Sequence, residues 1–357
     1  MLIEKPRIPL PQILLYGWWP GFLKLLFYRL CGYKIGRHVS IGFGSVICAD
    51  DVTIGDHTSI GFLTIIRAKT VRLGSYVQIR SLTFLDTPHV EIGDGTRINE
   101  QVFVGGLQGP DSRLVLGRNC QVMQMSFLNP ARSIVVGDDT GIGGHCLIFG
   151  HTSWLSQFEG YPVEFAPIEI GNSVSIAWGV FVLPNSVIGD GSVIGARSVV
   201  HGAIPPKSLA VGFPARVVNR PPEFPRAVSD EERIGMFRDI VSELVGYFTA
   251  AGFSSRQDGE LYEFWRASGK WRLWDTRRWR LLVVERGVRE VVPGSLADLP
   301  HVVLSLDSIA PQARRSLTAA KVAWVDIARK EQSRYSNDLG DEVALFLRRY
   351  GVRTTRC

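Results

Sequence analysis

The residues most able to do chemistry gather in one stretch, 150–167, which holds His151, Trp154, Phe158, Glu159, Tyr161 and Glu164. A neutral imidazole titrates at about 6.5, so His151 is the side chain best matched to taking a proton from a hydroxyl at physiological pH. Glu159 and Glu164 can assist such a base or bind polar groups of a ligand, although loop carboxylates are more often simply solvated. His145 stands six residues before His151. Where six residues make one wall of a repeat, that spacing puts the pair on adjacent walls. It argues against a shared metal and against a catalytic pair. His38, His57 and His89 are expected on the surface, and no Cys, His or carboxylate spacing implies a metal site.

The element that must position His151 is visible as a beat of six. Aliphatic–glycine pairs recur at Ile35-Gly36, Ile41-Gly42, Ile54-Gly55, Ile60-Gly61, Leu73-Gly74 and Ile92-Gly93. They return at Leu116-Gly117, Val136-Gly137, Ile142-Gly143, Ile170-Gly171, Ile188-Gly189 and Ile194-Gly195. Strand side chains alternate between faces, so each hexad sends two side chains inward. The first is a large aliphatic. The second, four residues on, is small or β-branched: Ser45, Thr58, Thr64, Val77, Thr83, Thr96, Val102, Ser126, Thr140, Val174, Val180, Ser186, Ser192 and Ser198. Cys120 and Cys146 fall in the same slot and read as packing residues. The glycine is expected to relax the corner between walls.

Three hexads close one triangular coil, with coils starting at Ile35, Ile54, Leu73, Ile92, Leu116, Val136, Ile170 and Ile188. About eight coils at roughly 4.8 Å each predict a parallel β-helix about 40 Å tall. The beat breaks twice, briefly at 105–113 and at length across 150–167. Insertions in repeat proteins map to loops on one surface, often the binding surface. The long break, with His151 in it, is therefore the candidate active-site element.

From about residue 30 to 220 the sequence resembles the hexapeptide acyltransferases, and among them the acetyl-CoA-dependent sugar O-acetyltransferases. The resemblance is carried by His151-Thr152-Ser153-Trp154, the loop, the restart at Pro167-Ile168-Glu169-Ile170-Gly171-Asn172, and the closing Gly212-Phe213-Pro214-Ala215-Arg216. It implies a left-handed β-helix, His151 as general base, and direct attack of a sugar hydroxyl on acetyl-CoA without an acyl-enzyme. Gln124 lies near where the family places an amide that orients the acceptor; Trp154, Glu159 and Glu164 would line the acceptor side. Backbone amides near Ala177 to Gly179 and at Ala196 would meet the pantetheine arm, with Arg216 near the phosphates.

The sequence departs from the family's pattern in two places. His201-Gly202 replaces a frequent Thr-Lys pair, and Ser175 stands where a Trp is common, with Trp178 three residues on. Arg197 or Lys207 would then supply the missing positive charge. The family also implies a homotrimer with active sites between prisms.

At the N-terminus, residues 1–33 read as an amphipathic cap for the open end of the helix. The longest charge-free run, Ile8 to Leu23, is broken by Pro9, Pro11 and Pro20 and is too short to span a bilayer. No small-residue cleavage site follows it, so a removed signal peptide is not expected. The alternative is peripheral membrane contact through residues 8–33, and the two are compatible if the acceptor is a lipid-linked glycan. Beyond 34–220, Pro221, Pro222 and Pro225 mark a linker over 221–228. Residues 229–357 then read as a small α/β or α+β domain of unassigned role. Ser229 to Glu232 forms a capping box opening a helix to about Ala251, and a last helix is expected around Asp341 to Tyr350. The run Trp271, Trp274, Arg277, Arg278, Trp279 and Arg280 could stack on sugar or nucleotide rings, but more often marks a half-buried strand with snorkelling arginines.

Net charge of +6 on 357 residues is modest and spread out, so nucleic-acid binding is not indicated. Five cysteines at no metal-like spacing fit a reducing compartment, and the expected location is cytoplasmic. Rival uses of such a helix remain. A γ-type carbonic anhydrase needs a zinc-binding His triplet that is not found; a nucleotidyltransferase needs a nucleotide domain before the helix; a scaffold has no reason to keep the His151 loop. N-acetylation of an amino sugar is the nearest competitor, because base and donor would be the same.

Overall fold

The computed structural model describes residues 7–266, 278–286 and 300–357. Two compact units divide the chain, Met1–Ala227 and Val228–Cys357. In the first, the hexads fold into three sheets of nine, ten and eight strands, parallel throughout except for the tail strand Ala215–Asn219, which ends the ten-stranded sheet antiparallel. Each coil adds one strand to each sheet, so eight complete turns and part of a ninth stack as a left-handed parallel β-helix. The registers set like on like. Ile35, Ile54, Leu73, Ile92, Leu116, Val136, Ile170 and Ile188 align in one column on the first wall. All but Ile35 are buried.

The small inward slot does more than fit. Thr58, Thr64, Thr96, Thr140 and Ser192 are fully buried. Thr58 donates to the Gly74 carbonyl at 2.7 Å and Thr96 to the Gly117 carbonyl at 2.6 Å. The same oxygens accept N–H bonds from Val77 at 3.2 Å and Cys120 at 2.9 Å. Each hydroxyl thus satisfies a donor and an acceptor where the chain turns a corner and the strand ladder is interrupted. The Cys120 and Cys146 thiols sit 2.9 and 3.1 Å from the carbonyls of Gly137 and Ala177, as buried members of the same series.

The repeat glycines have a different reason from the one expected. Gly36, Gly42, Gly55, Gly61 and Gly74 are not left-handed; the left-handed residue stands two further on, at His38, Gly44, His57, Leu63 and Tyr76. A Cβ on Gly42 would lie 2.4 Å from the Gly61 carbonyl oxygen, and one on Gly55 2.5 Å from the Gly74 carbonyl carbon. The neighbouring coil, one strand spacing away, excludes a side chain there; the bend does not.

Residues 7–33 close the first coil. Short helical turns at Leu10–Gln12 and Ile13–Gly17 lead into the helix Gly21–Leu30. Lys24 is fully buried, and its Nζ donates to the carbonyls of Gly42 at 2.7 Å and Ser45 at 3.0 Å. The Tyr28 hydroxyl accepts from the Ile47 N–H at 2.8 Å, and the Tyr33 hydroxyl donates to the Ala49 carbonyl at 2.7 Å. These are backbone groups that a first coil has no preceding coil to pair with. Burial pushes the Lys24 ammonium down to about 8, and its two carbonyl acceptors favour the charged form.

The second unit is a seven-stranded mixed sheet, in the order 253–258, 261–266, 278–284, 302–305, 323–326, 331–332 and 355–356. Helices Asp230–Ala250 and Asp338–Leu347 cover one face through Phe237, Val241, Leu244 and Val343; Pro311–Ala319 covers the other through Ala313 and Leu317. Strand alternation serves both layers: Leu304 and Val325 face the first, Val303 and Trp324 the second. Helices on both faces make this unit α/β. The Ser229–Glu232 capping box forms, with the two reciprocal bonds at 3.1 and 3.0 Å. The last helix starts earlier than expected, at Asp338, because the Asn337 side chain accepts the Gly340 N–H at 2.9 Å. Arg278, Trp279 and Arg280 lie on strand 278–284, with Trp279 and Arg280 half-buried. Trp271, Trp274 and Arg277 lie outside the described residues.

Candidate functional site

The stretch 150–167 is a hairpin. His151–Thr152 pairs antiparallel with Glu164–Phe165, placing His151 opposite Phe165 and Thr152 opposite Glu164. A 3-10 turn at Gln157–Glu159 tops it, closed by a left-handed Gly160. At the tip Trp154 is 96 % and Phe158 103 % exposed, and Glu159 is exposed beside them. The hairpin holds these aromatic rings in solvent, away from its own prism.

His151 is fixed by rings. Its imidazole stacks against Phe149 (centroids 6.1 Å, planes 27° apart) and Phe165 (5.7 Å, 17°). Phe149 continues an aromatic ladder on the outer face of the third wall, with Phe127 at 4.9 Å and Phe181 at 5.5 Å. The His151 Nδ1 is buried with no hydrogen-bond partner among the described residues. Burial pulls its pKa below the ordinary imidazole value. The ring is therefore neutral at pH 7, the state that can accept a proton.

Each coil turns three corners, and the expected site residues divide among them. His151 and Glu164 belong to the third corner, between the third wall and the next coil's first, with His201 on the same corner. Ala177, Gly179, Ala196, Arg197 and Gln124 belong to the second, between the second and third walls. There the Gln124 carbonyl accepts from His145, and the Trp178 carbonyl from Arg197. The His145 ring lies 5.9 Å from that of Trp178. Lys207 stands on the first corner, where its N–H bonds to the Asp190 carbonyl. Arg216 lies on the tail strand Ala215–Asn219, opposite Val211. The structure thus groups Gln124 with the residues expected for the donor, one corner away from His151.

Two of the amides expected to meet a pantetheine arm are already engaged. Ala177 N–H donates to Ile194 at 2.9 Å and Gly179 N–H to Gly144 at 2.9 Å, because coil-to-coil pairing claims every second amide. The N–H groups of Trp178 and Ala196 have no partner among the described residues and alternate with the engaged ones along this corner. Sequence reasoning passed over Phe165 and named His201 only as a departure from the family's pattern. His201 Nε2 lies 3.5 Å from Glu164 Oε2, so Glu164 faces His201. Counting hexads could have found His201, since it follows Val200 as Phe149 follows Ile148, in paired strands. Phe165 had no such signal, because the hairpin has no repeat. Among the described residues no group of three His, Cys, Asp or Glu could hold a metal ion.

No protein-family profile matches the chain. A protein of Schizosaccharomyces pombe named as an acetyltransferase is 35% identical over 103 residues, 29% of this chain and 47% of that protein. A protein of Escherichia coli K12 named as a lipopolysaccharide biosynthesis O-acetyl transferase is 32% identical over 113 residues, 29% of this chain and 58% of that protein. The chain therefore spans about half the length of the curated relatives it matches. Among solved structures, a hexapeptide-repeat containing acetyltransferase from Vibrio cholerae is 24% identical, covering 42% of this chain and 73% of that one, with a TM-score of 0.29. Over 29% of its length the chain is thus similar in sequence to proteins named as acetyltransferases.

Proposed function

We propose that the chain transfers an acetyl group from acetyl-CoA to a sugar hydroxyl of a cell-surface polysaccharide or glycan precursor. The observation that carries this reading is the neutral, ring-clamped imidazole of His151 on a hairpin that breaks the repeat. The acceptor oxygen attacks the thioester carbonyl carbon while His151 takes the hydroxyl proton. The C–S bond then breaks, and the imidazolium returns the proton to the departing CoA sulfur. An ester and free CoA result, with no acyl-enzyme. Trp178 and Ala196 N–H groups meet the pantetheine arm, Arg197 and Arg216 the phosphates, and Trp154, Glu159 and Glu164 the acceptor. The name of the Escherichia coli relative supports an acceptor in surface-glycan synthesis.

One prism puts base and donor residues on different corners, which a homotrimer with prisms side by side would bring together across each subunit boundary. The donor is a cytoplasmic metabolite, so the reaction belongs on that side of the membrane. Peripheral contact through residues 8–33 would carry the enzyme to a lipid-linked acceptor. The test is thiol release from acetyl-CoA against a panel of sugars, nucleotide sugars and short glycans, with His151→Ala as control. Acceptor-dependent release lost in the variant supports the reading; release that survives in the variant, or no CoA binding at all, refutes it.

A further inference from the structure

The cap has two faces, and the prism uses one of them. Tyr16, Lys24, Leu25, Phe27 and Tyr28 pack on the first coil. On the outer face Leu10, Leu14, Leu15, Phe22, Leu26 and Leu30 are 56–80 % exposed. Trp18 and Trp19, at 44 and 40 %, flank them. Trp18 packs edge-on against Phe43 at 4.9 Å, and the apolar surface runs on down the second corner through Phe62 and Leu82. It stops at the exposed Glu100 and Gln101 of the fourth coil.

The charge of the cap itself has one sign, and exposed acids begin only at Asp50, Asp51 and Asp56, where Asp56 accepts the Arg37 N–H at 2.7 Å. Between Glu4 and Asp50 the chain has no acidic residue, while Lys5, Arg7, Lys24, Arg29, Lys34 and Arg37 are all basic. Arg7, Arg29, Lys34 and Arg37 are exposed. We propose that the outer face of the cap docks on a membrane surface carrying anionic phospholipid, with the helix Gly21–Leu30 lying in the interface. Exposed apolar side chains alone would suit a protein partner or a second copy. The tryptophan flank and the basic charge of the cap select the lipid surface, where aromatic rings sit at headgroup depth and each basic residue gains from the anionic leaflet. Among the described residues no helix is long and apolar enough to cross a membrane, so the contact is with the surface.

This deepens the membrane contact proposed above, and it can be tested without any acetyl transfer. His151 closes the sixth coil, five coil heights from the first, or about 24 Å along the axis. Docked end-on, the enzyme holds its base at the reach of a lipid-linked glycan several sugars long, well beyond a lipid headgroup.

The experiment is co-sedimentation of the full chain, without acetyl-CoA or acceptor, with large unilamellar vesicles. Pure phosphatidylcholine is compared with phosphatidylcholine containing about 30 mol% phosphatidylglycerol. The chain is expected to pellet with the anionic vesicles, and to bind pure phosphatidylcholine at least about tenfold more weakly. Leu14→Ser/Phe22→Ser/Leu26→Ser should lose binding to both while keeping the wild-type melting temperature, since these side chains face solvent. Lys34→Gln/Arg37→Gln should lose chiefly the preference for anionic lipid. Wild-type protein left in the supernatant with anionic vesicles, or equal binding by the triple serine variant, overturns the proposal. So does a change of oligomeric size in the serine variant without vesicle binding by the wild type, which would assign the face to a second copy.

Discussion

His151 and Phe165 face each other across a two-residue antiparallel pairing, with ring centroids 5.7 Å apart and planes 17° from parallel. The base is held by a residue of its own hairpin, fourteen positions further along the chain and before the helix restarts at Ile168. Ring contact, with no hydrogen bond to Nδ1, sets both the orientation of the imidazole and its reluctance to charge.

Removing the imidazole should remove turnover and nothing else. His151→Ala is expected to lower kcat by about 10²–10⁴-fold, the usual worth of a positioned general base. Circular dichroism and the melting temperature should match the wild type, because the hairpin stands outside the prism core.

The pH dependence follows from the direction of the His151 shift. Burial disfavours the imidazolium, so the acid limb of kcat/KM should fall below the ordinary value of about 6.5. Phe165→Ala opens the ring to water and should move that limb up toward about 6.5. Between the lowered native value and about 6.5 the unfolded chain binds the proton and the native chain does not. Stability should therefore decline as pH falls through that window. A wild-type limb at or above the free-imidazole value would contradict the burial argument.

Gly42→Ala and Gly235→Ala should have opposite signs. A Cβ on Gly42 meets the Gly61 carbonyl oxygen at 2.4 Å, and overpacking of this kind costs about 1–3 kcal/mol. Gly235 lies inside the helix Asp230–Ala250 with nothing within 4 Å of a Cβ, so alanine should stabilise the second unit by about 0.5–1 kcal/mol. Denaturant titration of each variant reads both.

Thr58→Val keeps the shape that Val77 and Val102 already show in the same slot, but leaves the Gly74 carbonyl and the Val77 N–H without their bridge. The expected loss is about 1–3 kcal/mol in chemical denaturation. A neutral outcome would mean that the small slot is selected for volume alone.

Subunit mixing tests where the site is completed. His151→Ala and Ala196→Trp should each be inactive as pure trimers. Co-refolded in equal amounts, they should regain about a quarter of wild-type activity, because one boundary in four joins an intact base to an intact donor corner. No recovery would place base and donor within one chain.

The fold was legible because a hexad is a local pattern repeated many times. Ile54, Leu73 and Ile92 mark one column of the core, and the slot at Thr58, Val77 and Thr96 marks the next, by alternation alone. The capping box at Ser229 was legible for the same reason, since its two bonds close within four residues. The helix beginning at Asp338 was misjudged by three residues because its start depends on a side-chain bond from Asn337.

The site was legible in part. Sequence by itself determined the β-helix and the hairpin-forming break with His151 in it, because period and interruption are both written along the chain. Tertiary structure decided how the other residues divide. Lys24 reads as one more charge of a surface helix, yet it is buried on the carbonyls of the first coil. Ala177 and Gly179 read as free amides, yet the neighbouring coils claim them. Gln124 reads as an amide that orients the acceptor, yet it shares a corner with Trp178 and Arg197. The reason is common to all three: each depends on what lies one strand spacing away across the stack, in a coil some eighteen or more residues distant, and a repeat announces that such a neighbour exists without saying which of its groups remain free.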